Sequence, residues 1–150
     1  MAERDLKGEG RRPASGESVA AAADRPLPHD PGAERAVLGA ILVEPRPCLD
    51  EAIEQFRGEP VFHLPRHQHL YGALVEMARD KRDIDVVTVA AMLRQRGTIE
   101  EIGGESYLAE LIAGIGSTAN FRAWCRVVKN HAILRRLIRT SEEVRQQCFA

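Results

Sequence analysis

His63, His67 and His69 form the densest set of potential metal ligands in the chain, an H-x3-H-x-H cluster. A helical zinc pair wants its histidines at i and i+4. His63 and His67 have that spacing, but Pro65 lies between them and denies the pair one continuous helix. Cys48 is too loosely placed to serve as a fourth ligand, so the cluster reads as packing and capping rather than metal binding. Phosphate chemistry would need Gly-x-x-x-x-Gly-Lys-Ser/Thr, in which backbone amides cradle the phosphate and the lysine reaches it. The chain has three lysines, Lys7, Lys81 and Lys129; none follows a glycine and none precedes Ser or Thr. An embedded P-loop ATPase is thereby excluded. Ser106 and Ser117 occupy helix-start or loop positions where serine serves the backbone. Asp83 and Asp85 flank Ile84, and Glu100 adjoins Glu101, but nothing gives either pair the convergent, apolar setting of acid–base chemistry. Trp124 reads as a core or interface anchor. The sequence therefore predicts no catalytic residue, no cofactor and no metal: the chain by itself is not an enzyme.

Charge supplies the next signal. The 150 residues carry a formal charge of −1, with 44% apolar and 5% aromatic residues. That balance hides an asymmetry: residues 31–120 hold 9 Lys and Arg against 14 Asp and Glu, a net of −5. Residues 121–139 hold Arg122, Arg126, Lys129, Arg135, Arg136 and Arg139 with no acid, a net of +6. A basic run is commonly a solvated helix face; otherwise it meets acidic protein or phosphate. Aromatic residues do not interleave it as a stacking platform, which makes nucleic acid the weaker of the two partners. Cys48, Cys125 and Cys148 are odd in number, widely spaced and without a CxxC, as in a reducing compartment. No apolar run approaches the roughly 18 residues of a membrane span, and the N-terminus lacks the apolar region of a signal peptide. The expected location is cytoplasmic.

The elements that would position these residues are helical, and the predicted fold is all-α. Residues 1–25 contain only Leu6 and Val19 as large aliphatics and are predicted to form a disordered tail. A helical head is predicted over 26–119. Its first helix carries Val37, Leu38, Ile41 and Leu42 on one face up to Pro45 and Pro47, and a second carries Leu49, Ala52, Ile53 and Phe56. Pro65 suits a first turn ahead of Leu70, Tyr71 and Leu74. Asp85 is placed to cap a helix ending at Gly97, and Gly103-Gly104 to turn into a short helix through Tyr107 and Leu111. Asn120 is expected to cap the last helix, which spans residues 120–150 with Phe121, Trp124, Val128, Leu134, Leu137 and Ile138 on its apolar side. At some 28 residues it would be about 42 Å long, longer than a head of roughly 85 residues is wide. Its overhanging stripe then needs another chain, or a continuation of this one.

Five stretches together carry a resemblance. Pro28–Leu42, P-H-D-P-G-A-E-R-A-V-L-G-A-I-L, resembles the P-x-x-x-x-A-E-x-x-V-L-G-x-x-L opening of the N-terminal domain of bacterial replicative DNA helicases of the DnaB type. Phe62, His67, Leu70 and Tyr71 resemble that family's F-Y-x-x-x-H-x-x-I-F, and Ile84–Val89 its I-D-x-V-T-V. Gly97–Leu108 resembles G-x-L-E-x-I-G-G-x-x-Y-L, and Asn120 with Arg135–Ile138 resembles the A-N and R-x-L-I of its end. The chain departs from the family at Trp124-Cys125, where Tyr-Ala is usual. The resemblance implies a small orthogonal helical bundle whose long C-terminal helix is the first half of a helical hairpin. In the family that hairpin pairs N-domains around a hexamer and offers surface to primase and to helicase loaders. It also implies that the RecA-like ATPase domain, with its ATP and magnesium, lies outside these residues, and that DNA is met only through the full-length assembly. The expectation is therefore a docking module that forms a weak dimer of itself and binds primase or a loader, with no membrane contact. Its apolar seam would be Phe121, Trp124, Val128, Leu134 and Ile138, with charge supplied by Arg122, Arg126, Arg135, Arg136 and Arg139. The rival reading is a nucleic-acid-binding helical domain that uses the basic 122–139 helix.

Overall fold

The computed structural model describes residues 25–150, and every regular element among them is a helix. The expectation of a disordered tail therefore lies, but for Arg25, outside the described residues. Helix α1 spans Pro31–Val43 and starts as a helix should: the Asp30 carboxylate accepts the Ala33 amide at 2.9 Å, and proline occupies the first turn. Val37, Leu38, Ala40 and Ile41 are fully buried, because α1 is the central element that the others pack around. Pro45 ends it and opens α2, Pro45–Phe56, which is kinked at Arg46 and closed by Arg57 in the left-handed region.

Helix α3 spans Pro65–Arg79. Helix α4, Val86–Gln95, is capped by a reciprocal box in which Asp85 Oδ1 accepts the Thr88 amide at 2.8 Å and Thr88 Oγ1 accepts the Asp85 amide at 3.0 Å. A one-turn helix α5, Ile99–Ile102, stands in a stretch to which the sequence reading assigns no element, and it buries Ile102 completely. Gly103 (φ 108°) and Gly104 (φ 76°) then bend the chain into α6, Gly104–Ala113. The last helix, α7, spans Phe121–Phe149.

Two local details differ from expectation. Asn120 occupies the cap position of α7, but its side chain makes no capping bond. The Thr118 carbonyl takes the Phe121 amide at 3.0 Å instead, so a backbone turn opens the helix. The apolar side of α7 also turns out differently: the residues it buries are Phe121, Cys125, Val128 and Arg135. Gly39 marks a close helix crossing. A Cβ there would lie 2.4 Å from the Leu111 carbonyl oxygen and 2.8 Å from Ile115, so α1 crosses α6 at backbone contact. One continuous core results, with Phe56, Phe62 and Tyr71 as its aromatic centre.

Candidate functional site

The three histidines go to three separate places. His67 is fully buried, His69 pairs with Glu101 at 3.2 Å, and the His63 ring lies against that of His29 with centroids 4.3 Å apart. Among the described residues no group of three or more His, Cys, Asp or Glu is placed to hold a metal ion. His67 instead joins a buried polar chain. Its Nδ1 is 3.1 Å from Glu34 Oε1 and its Nε2 is 2.6 Å from the Tyr107 hydroxyl. The tautomer that satisfies both donates Nδ1–H to the carboxylate and accepts the tyrosine proton at Nε2. Burial raises the Tyr107 phenol above its ordinary value, which keeps that proton in place. Glu34, 2% exposed, also accepts the His63 amide at 3.0 Å and the Leu64 amide at 3.4 Å. These amides precede α3, whose own cap residue Leu64 has no side-chain acceptor to offer. Glu34 on α1 thus satisfies the two amides that lead into α3 and sits favourably near the positive end of its dipole. The chemistry is fold-fixing: every buried side-chain nitrogen and oxygen among the described residues is hydrogen-bonded.

The surface that can act on other molecules is α7, which divides into two halves. In the first, Phe121, Cys125 and Val128 are 5%, 0% and 2% exposed and pack under α1 and α2. Arg135, four turns along the same side, is 4% exposed. Its guanidinium donates to the Pro28 carbonyl at 2.9 Å and to the Val61 carbonyl at 2.7 Å, locking the helix to the segments on either side of it. Burial lowers its pKa from the ordinary guanidinium value. From Arg136 onward every residue is exposed, leaving about 21 Å of free helix at 1.5 Å per residue. On its outward side from Ile133 on, Ile133, Leu134, Leu137, Ile138 and Val144 are 38%, 48%, 58%, 46% and 53% exposed. With 3.6 residues per turn they fall on one stripe, roughly opposite the side that Phe121, Cys125 and Val128 bury.

The five residues predicted as a single apolar seam therefore do not share a face. Leu134 and Ile138 lie on the open stripe. Phe121 and Val128 belong to this chain's own core, a correction that follows from where α1 and α2 pack. Trp124 is half-buried and lines a cavity of about 410 Å³ beside Arg35, Tyr107 and Glu110. The arginines divide as well. Arg122 chelates Glu51 through Nε at 2.9 Å and a terminal nitrogen at 3.3 Å. Glu51 is held below the usual carboxylate range by hydrogen bonds from Gln55 and then Arg122. Arg136 reaches Glu59 at 3.6 Å. Arg135 was expected to face a partner and is instead inside. The cation at this position is used to hold the helix on the head.

That leaves Arg126, Lys129 and Arg139 as the open cations of the run, with no exposed aromatic ring among the five predicted seam residues. This is a poor track for a phosphate backbone. Two important residues carried a weak signal in the sequence. Glu34 stands four positions before Leu38 and seven before Ile41, on the apolar face of α1. Arg135 stands seven after Val128, on the buried face of α7. In both cases a charge in an apolar register is the sign of an internal partner.

Comparison with known proteins places this architecture. The model of a family described as DnaB-like helicase N terminal domain matches residues 26–130. The replicative DNA helicase DnaB of Geobacillus stearothermophilus is 38% identical over 126 residues, 84% of this chain and 27% of that protein. The crystal structure of the N-terminal domain of DnaB helicase from Mycobacterium tuberculosis is similar at a TM-score of 0.78 and 34% identity, covering 83% of this chain and 85% of that one. A further structure, of a DnaB-like replicative helicase and its interactions with primase, is similar at a TM-score of 0.67 and 28% identity, covering 79% of this chain and 27% of that one. The chain thus spans about a quarter of the length of the curated helicase, and 85% of the isolated domain.

Proposed function

Because this chain belongs to the DnaB-like helicase N-terminal domain family, we propose that it is a non-catalytic docking module of a replicative DNA helicase in the cytoplasm, which pairs with a second copy of itself and offers surface to primase or a helicase loader. The observation that carries this reading is the open apolar stripe of α7. Leu134, Leu137 and Ile138 are each about half exposed on a helix that has already secured its other side to the head, and contiguous exposed apolar surface of this kind marks an interface. Covering such residues is worth roughly 1 kcal/mol each, and the entropy of association offsets most of the sum. Pairing through this stripe alone is accordingly weak. ATP hydrolysis, with its ATP and magnesium, belongs to the ATPase part of the parent helicase, and DNA is met only by the full assembly. The primase contact seen in a structural relative supports the docking role.

Sedimentation of the wild type and of Leu134→Asp/Ile138→Asp at equal concentration tests the proposal. The wild type is expected to sediment between monomer and dimer. The double variant is expected to be monomeric with an unchanged helical spectrum, because both positions lie off the core. A wild type that stays strictly monomeric at high concentration, or a folded double variant that still dimerises, overturns it.

A further inference from the structure

A second surface of α7 adjoins the stripe and shares Ile133 with it. Between the α2–α3 connection and the middle of α7 lies a cavity of about 180 Å³. Its floor is apolar, with Ala132 and Ile133 accessible above the buried Phe56 and Val61, and its rim is cationic, from Lys129, Arg136 and Arg139. Glu59 is the one acid that lines it. It stands 3.6 Å from Arg136 with both side chains more than 60% exposed, at 62% and 65%, a loose pair that water largely screens. Lys129 and Arg139 make no hydrogen bond or ion pair among the described residues. Arg135, which also lines the cavity, adds buried positive charge, because its guanidinium is held by two neutral carbonyls rather than by a carboxylate. Four cations thus surround an apolar slot against one exposed acid.

We propose that this slot binds an acidic segment of a partner protein, seating one apolar side chain on Ala132 and Ile133 with carboxylates on Lys129, Arg136 and Arg139. The two halves of the site define the ligand. Arginine forks match carboxylates in a bidentate manner, and an apolar floor beneath them selects a sequence in which an apolar residue interrupts the acids. Nucleic acid fits less well. Phe56, the only aromatic ring of the floor, is 1% exposed and cannot stack a base, and a cavity of this size takes a side chain. The acidic residues Glu51 and Glu54 lie beside Arg122, Arg126 and Lys129 at the next groove along the helix, where they would repel a continuing phosphate backbone. Lys129 and Arg139 lie well round α7 from Leu134 and Leu137, so the cations of the slot are not part of the stripe.

The test titrates the isotopically labelled full chain with three probes while backbone amide signals are followed. These are the capped peptide Glu-Asp-Phe-Asp-Glu, the same peptide with serine for phenylalanine, and an oligothymidylate. Saturable shifts are expected at Val61, Lys129, Ala132 and Arg136 with the phenylalanine peptide. The serine peptide should bind roughly tenfold more weakly, the loss of one partly buried aromatic side chain. Arg136→Glu/Arg139→Glu should abolish the shifts while keeping the helical spectrum; both residues are exposed. Equal binding of the two peptides, shifts at other amides, or tighter binding of oligothymidylate at these same amides overturns the proposal. So does the absence of any saturable shift with the phenylalanine peptide, and the wild-type titrations decide this even if the double variant does not fold.

Discussion

A single carboxylate joins three parts of this chain that are distant in sequence. Glu34 on α1 accepts from the amides of His63 and Leu64 and from His67, which in turn accepts from Tyr107 on α6. An unsatisfied buried donor or acceptor costs about 1–3 kcal/mol. Glu34→Ala strands three donors and is expected to lose about 3 kcal/mol or more of unfolding free energy. Tyr107→Phe strands only His67 Nε2 and should lose about 1–3 kcal/mol. Urea unfolding at neutral pH ranks the two. Should Glu34→Ala unfold within about half a kcal/mol of wild type, the network is not what fixes α3 on α1. The sequence pattern exposed Glu34 as a charge in an apolar register but could not name its partner. His67 lies 33 positions away, and only folding brings the two together.

Among the elements, glycine marks which helices touch through their backbones. Gly39 has no room for a methyl group, because Leu111 O and Ile115 already occupy that volume. Gly72 on the exposed side of α3 has open space, its nearest neighbour being an Arg96 nitrogen at 3.8 Å. The same substitution therefore has opposite effects. Gly39→Ala should destabilise by about 1–3 kcal/mol or more through overpacking, and Gly72→Ala should stabilise by up to about 1 kcal/mol through helix propensity. Thermal melts of the two variants provide the measurement, and a neutral Gly39→Ala would show that α1 and α6 are further apart than described. Helix α7 illustrates what a pattern alone misassigns. Its apolar residues are of two phases, one set by the head and one open. Reading them as a single seam merged Phe121 and Val128 with Leu134 and Ile138.

At the scale of the whole molecule, the way α7 closes the core can be read from its thiols. Cys48 and Cys125 are buried and Cys148 is exposed. Burial, with smaller contributions from Glu51 and Cys48, pushes the Cys125 thiol up to about 12, and burial followed by Glu44 raises Cys48. A disulfide reagent at mildly alkaline pH should titrate one thiol quickly in the native chain and all three after unfolding; three fast thiols in the native chain would mean that α7 does not close the core as described. The same shift sets a pH limit. A group whose folded pKa lies above its unfolded value contributes stability that is complete below the ordinary thiol range and is lost as pH rises towards the folded value. Melting temperature should accordingly fall from about pH 9 upward, with the half-buried Tyr71 and buried Tyr107 phenols acting in the same direction. Cys125→Ala should flatten that decline. An identical slope in wild type and variant would exclude the thiol as its source.

The sequence by itself determined the helical class, most helix boundaries and the family. Those features are local: Asp30 and Asp85 cap, prolines open helices, Gly103 and Gly104 supply positive φ, and apolar residues recur at helical spacing. It also located the basic run and the apolar residues of the last helix. What it could not decide is which residues of that helix look inward, because a helix with apolar residues on two sides has no unique buried face until neighbours choose one. The packing of α1 and α2 made that choice at Cys125, and the carbonyls of Pro28 and Val61 made it at Arg135. Tertiary contact likewise turned part of the basic run into internal fastenings, through Glu51, Glu59 and the carbonyls of Pro28 and Val61. The open surface is what remained after those contacts were made, since burial and pairing depend on the distance between segments that the order of residues does not state.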